Sequence, residues 1–65
     1  MVDKVLTTIR KKRLEMDYSQ DYLASRLKIS QSSYNKIENG TTQLSVDMLL
    51  KISDILNLNY SERLI

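Results

Sequence analysis

A chain of 65 residues makes one domain at most, and one this short buries only about 60 % of the surface its unfolded form exposes, so its stability is marginal. It has no cysteine and no histidine, which excludes disulfide staples, structural zinc, haem ligation, thiolate nucleophiles and the histidine base of acyl transfer. Ten Lys/Arg against eight Asp/Glu leave a net charge of +2, spread unevenly: residues 1–40 carry eight basic and five acidic groups, residues 41–65 two and three.

With no proline and a single glycine, regular helix packing is the remaining route to a stable fold. Val2, Val5, Leu6 and Ile9 follow the i, i+3, i+4, i+7 spacing of one helix face, and Arg13 or Leu14 continues the stripe. A first helix is therefore expected over about Asp3 to Met16. Its run Arg10-Lys11-Lys12-Arg13 is the densest basic stretch of the chain; such a run is ordinarily a solvated helix face. Asp17-Tyr18 interrupts the helix, and aspartate tolerates the left-handed backbone of a cap. Three later starts share one device. Ser19, Ser30 and Ser45 each suit an N-cap, where a hydroxyl accepts from an orphan N–H of the first turn. Each is flanked by an apolar pair, Tyr18 with Leu23, Ile29 with Tyr34, and Leu44 with Leu49, in the register of a hydrophobic staple. The second helix then spans Gln20 to Leu27 and the third Gln31 to Asn39, closed by Gly40 where positive φ is needed. The fourth spans Val46 to Leu56, and a last turn follows from Asn59, with Glu62 completing a capping box. The expected fold is all-α, five short helices in a single domain over residues 1–65.

Only Lys28, Ile29 and Ser30 separate the second and third helices. That spacing makes a helix-turn-helix over about residues 19–39, whose second helix can enter a DNA major groove. At about 100° per residue, Tyr34 and Ile37 share one face of the third helix, flanked by Ser33 and Glu38, while Gln31, Ser32, Asn35, Lys36 and Asn39 share the opposite one. An ordinary solvated helix more often shows Glu/Lys pairs at i, i+4. Side-chain amides instead suit the donor and acceptor of adenine, and lysine suits guanine or phosphate.

Ser19-Gln20, Leu23-Ala24, Leu27-x-Ile29-Ser30-Gln31 and Tyr34-x-x-Ile37-Glu38-Asn39-Gly40 resemble the phage-repressor/Cro (Xre-like) helix-turn-helix family. The likeness extends upstream to Ile9-Arg10-x-x-Arg13 and downstream to Leu49, Ile52, Leu56 and Leu58. It implies a lambda-repressor-like DNA-binding domain. By that resemblance Gln20 touches a phosphate and braces the opening residue of the third helix, Gln31, which reads a base edge. Ser32, Asn35 and Lys36 are the other base-reading candidates. Ser19, Ser33, Asn39 and the loop Thr41-Thr42-Gln43 are the phosphate-binding ones. Capping of the helix exit is an equal reading of Asn39 and Thr41, and capping is favoured for Ser19. Arg13 and Glu38 match positions that pair across the first and third helices in relatives; the competing reading is an exposed pair worth under about 1 kcal/mol. Ala24 sits where relatives keep a small residue. Glycine is common in relatives at the positions of Asp17 and Lys28, and proline at that of Leu44. Lys28 is therefore expected to take positive φ.

Tyr18, Tyr22, Tyr34 and Tyr60 could stack single-stranded bases, but the staple pattern makes core packing the preferred reading. Carboxylates are scattered and no glycine-rich phosphate loop exists, so no enzyme, cofactor or small-molecule ligand is expected. No apolar stretch approaches the roughly 20 residues of a membrane span and no signal-peptide core is seen, which leads to the expectation of a cytoplasmic protein without membrane contact. The resulting function is sequence-specific binding of double-stranded DNA by a repressor-like homodimer on a two-fold operator. The dimer candidates are Leu58, Tyr60, Leu64 and Ile65, for which packing against the first helix is an equal reading. A helical protein-interaction module, such as an antitoxin or co-regulator, is the alternative that the low net charge supports.

Overall fold

The computed structural model describes residues 2–58, which form four helices: α1 (Val2–Glu15), α2 (Gln20–Leu27), α3 (Gln31–Glu38) and α4 (Val46–Leu56). The expected fifth turn, from Asn59, lies outside the described residues. The helix starts follow from the serines. The hydroxyls of Ser19, Ser30 and Ser45 accept from the backbone N–H of Tyr22 (2.9 Å), Ser33 (3.0 Å) and Met48 (3.1 Å). All three caps are extended, with ψ between 156° and 163°. The apolar staple partners Tyr18, Ile29, Leu44 and Leu49 are half-buried against the core, and Leu23 and Tyr34 lie within it.

The helix ends share a second device. Asp17 (φ 58°), Lys28 (φ 61°), Gly40 (φ 85°) and Asn57 (φ 57°) all turn left-handed. After α1, α2 and α4 the next amide reaches back to satisfy an orphan carbonyl: Tyr18 to Arg13 (3.0 Å), Ile29 to Ala24 (3.0 Å) and Leu58 to Ser53 (2.8 Å). These are Schellman closures built on residues other than glycine. Lys28 takes the conformation expected of it. α3 ends one residue before the expected Asn39, which has φ −91° and ψ 1°. Its side chain accepts from the Thr41 N–H at 3.0 Å, an Asx turn that competes with further helix.

Ile9 of α1, Leu23 and Ala24 of α2, Tyr34 and Ile37 of α3, and Ile52 and Leu56 of α4 form one core. α2 and α3 make the most extensive helix–helix contact, and Ala24, 1 % exposed, lets them approach. Of the two candidates for continuing the α1 stripe, Arg13 is buried and Leu14 is 57 % exposed. Arg13 lies four residues from Ile9 and so shares its face, whereas Leu14 is rotated about 100° further. Ser53 is buried in α4 because its hydroxyl returns to the Leu49 carbonyl at 2.7 Å. The expectation that the tyrosines are core residues fails at Tyr22. Leu23 and Ala24 occupy the inner face of α2, which leaves Tyr22 on the surface, its ring tilted against that of Tyr18 (centroids 4.5 Å apart) and its hydroxyl accepting from Arg26 at 2.8 Å. Tyr60 lies outside the described residues. Among those described, no helix is long and apolar enough to cross a membrane.

Candidate functional site

The three-residue turn between α2 and α3 presents one polar helix on the surface. Tyr34, Ile37 and Glu38 face inward, and Gln31, Ser32, Ser33, Asn35, Lys36 and Asn39 are exposed. Ser19 caps α2, and Ser33 is drawn into the cap of α3, where its hydroxyl accepts from the Ser30 hydroxyl at 2.9 Å. Thr41, Thr42 and Gln43 are exposed on the following loop.

Beneath this helix lies a buried ion pair. The Arg13 and Glu38 side chains are 9 % and 3 % exposed and meet through two hydrogen bonds, Nε to Oε2 (3.0 Å) and Nη2 to Oε1 (2.9 Å). The remaining arm of the guanidinium, Nη1, donates to the Tyr18 carbonyl at 2.8 Å. Arg13 thus joins α1, its own helix exit and α3. The Glu38 carboxylate also accepts from the Tyr34 hydroxyl at 2.6 Å and from Gln20 Nε2 at 3.3 Å. Burial opposes its ionisation, but the hydrogen bonds from Arg13, Tyr34 and Gln20 and the attraction of the guanidinium prevail, holding the carboxyl below its ordinary range. The bond to Glu38 in turn strengthens the proton on Arg13. Burial and the bond to Glu38 push the Tyr34 phenol well above its usual value. Among the described residues no buried side-chain polar atom lacks a partner.

From this pair a row of amides runs to the surface. Gln20 Oε1 accepts from Asn35 Nδ2 at 3.1 Å, Asn35 Oδ1 from Asn39 Nδ2 at 3.3 Å, and Asn39 Oδ1 from the Thr41 N–H. The expected brace from Gln20 to Gln31 is replaced by one to Asn35. Gln20 is drawn toward the carboxylate of Glu38, near the far end of α3, and the amide within its reach there is Asn35. Arg10, which the sequence placed in a basic run and in the family likeness without a role at the site, sits beside this row. It lines a concavity of about 160 Å³ together with Arg13, Gln20, Asn35, Glu38 and Asn39. The signal was available: Arg10 precedes Arg13 by three residues and therefore shares its side of α1. The i, i+4 pairs Tyr34–Glu38 and Asn35–Asn39 were equally readable.

Leu58 packs against the domain's own core. The other dimer candidates, Tyr60, Leu64 and Ile65, lie outside the described residues. Compared with known proteins, the chain matches a family model described as helix-turn-helix over residues 9–63. No curated protein and no solved structure matches it.

Proposed function

The chain belongs to the phage-repressor/Cro (Xre-like) helix-turn-helix family, a family of DNA-binding transcription regulators, and from that premise we propose that it is a sequence-specific, repressor-like protein acting as a homodimer on a two-fold operator. The observation that carries the reading is the exposed face of α3. It is polar but carries one charge, Lys36, because Glu38 is turned inward onto Arg13. A face meant only for solvent has no need of that arrangement. A face that enters a major groove does, since an exposed carboxylate would be repelled by the phosphates. In this reading Gln31, Ser32 and Lys36 reach base edges. Gln20, Ser19, Ser33, Asn39 and the loop Thr41-Thr42-Gln43 hold the backbone and set register. Asn35 differs from the three readers in having both ends of its amide already bonded.

Competition binding against operators substituted one base pair at a time tests the assignment. Losing a bidentate amide–base contact removes about 1–3 kcal/mol of discrimination at one position. Gln31→Ala is therefore expected to weaken the best operator and flatten preference at one base pair per half-site. Gln20→Ala is expected to weaken all operators alike, because phosphates carry no sequence. Unchanged base preference in Gln31→Ala would remove α3 from the role of reader.

A further inference from the structure

Every side-chain amide in the row from Glu38 to Thr41 has its polarity imposed from the ends. A carboxylate only accepts hydrogen bonds, so the Gln20 amide facing Glu38 must offer its NH₂. A backbone N–H only donates, so the Asn39 amide facing Thr41 must offer its oxygen. Asn35, held between Gln20 and Asn39, then has no choice of orientation. The result is an inventory that is easy to count. The oxygens of Gln20, Asn35 and Asn39 each accept from the next donor, and each NH₂ spends one hydrogen inside the row and keeps one. What the row offers a ligand is one remaining amide hydrogen each from Gln20, Asn35 and Asn39, on three neighbouring residues. Arg10, exposed and in no ion pair among the described residues, adds a positive charge on the rim of the same concavity.

We infer that Arg10, Gln20, Asn35 and Asn39 form a cradle for one DNA phosphate, and that Asn35 belongs to this cradle rather than to the base-reading set. Donors and a guanidinium suit a phosphate oxygen. Adenine asks one amide for a donor and an acceptor together, and in Asn35 both groups are already held by neighbours in the row. Helix α1 thereby takes part in DNA binding through Arg10, and the buried Glu38 acts at a distance as the group that orients the amides.

This inference rests on the DNA-binding reading above, and the experiment separates the two. Binding of wild type, Arg10→Ala and Asn35→Ala to duplex DNA is measured across a salt series and against operators substituted one base pair at a time. Circular dichroism verifies that each variant remains helical. Arg10→Ala is expected to reduce the slope of log K against log salt by about one unit, the signature of one lost phosphate contact. Asn35→Ala is expected to weaken all operators by one common factor and leave base preference intact. An unchanged slope in Arg10→Ala, or a preference flattened at one base pair in Asn35→Ala, overturns the cradle while DNA binding stands. A wild type that binds no duplex overturns both.

Discussion

Glu38 occupies a core-facing position that would ordinarily hold an apolar side chain, and it is tolerable there only because its carboxylate receives four hydrogen bonds. A buried pair of this kind is costly to form and costly to break: removing one partner typically loses about 3–5 kcal/mol, because the other charge is stranded. That is a large share of the roughly 0.05–0.15 kcal/mol per residue that holds a small domain together. Arg13→Met alone is therefore expected to destabilise the fold severely, and Arg13→Met with Glu38→Gln much less than the sum of the two. Denaturant unfolding of the four proteins in this cycle should give a coupling well above about 0.5 kcal/mol, the level of an exposed helical pair. Coupling near zero would mean that the pair contributes no more than a surface one. The same carboxyl contributes to the acid limb of stability. Its native affinity for protons is below that of the unfolded chain, so its contribution is complete above the unfolded value of about 4.3 and is lost as pH falls through the lower native one. Glu38→Gln should lack that share of acid destabilisation. Wild type and Glu38→Gln losing stability in parallel below about pH 4 would contradict the linkage.

Helix ends show which parts of the fold are written locally. Ser19, Ser30 and Ser45 gave the starts of α2, α3 and α4 because a cap involves residues only three apart, and the sequence displays it whole. The left-handed exits at Asp17 and Lys28 were legible as well, and α4 ends at Leu56 as its spacing indicated, with Asn57, a residue that tolerates the left-handed conformation, turning out of the helix. The candidate site is legible only in part. The polar face of α3 is a matter of spacing, and the Arg13–Glu38 pair was reached through family resemblance. Within the amide row the Asn35–Asn39 pair follows from i, i+4 spacing, but the link from Gln20 to Asn35 could not be read, because the two are fifteen residues apart and meet only once α2 packs on α3. Non-glycine residues in left-handed exits carry a backbone cost of about 1–2 kcal/mol. Glycine at Lys28 should therefore be more stable than alanine there by about 1 kcal/mol, the reverse of their order inside a helix. Thermal or urea unfolding of Lys28→Gly and Lys28→Ala measures this directly, and an alanine variant as stable as the glycine one would show that the turn is not strained.

At the scale of the whole molecule the charge is too small for one domain to hold DNA by electrostatics alone. The net charge is +2, and α3 presents Lys36 as its one exposed charge. Affinity falls with salt with a slope of about −0.9 for each phosphate neutralised, so a single domain with few such contacts has a shallow slope and weak general binding. Two copies on one operator double the number of phosphates engaged. Once the first domain is seated, the second docks at high effective concentration. The homodimer proposed above thus makes a geometric demand. Half-sites read by two domains on one face of the duplex lie about 10–10.5 base pairs apart, one helical turn. A symmetric duplex with that spacing is expected to bind far more tightly than a single half-site, with a salt slope about twice as steep. Inserting about 5 base pairs between the halves rotates one to the opposite side of the duplex, and the gain should disappear. Inserting a full turn should restore part of it if the dimer contacts are pliable, and none if they are rigid. Electrophoretic or fluorescence titration of these duplexes at several salt concentrations gives all the quantities needed. Equal affinity and equal slope for the symmetric site and the single half-site would mean that the domain binds DNA as a monomer, and the two-fold operator would have to be abandoned.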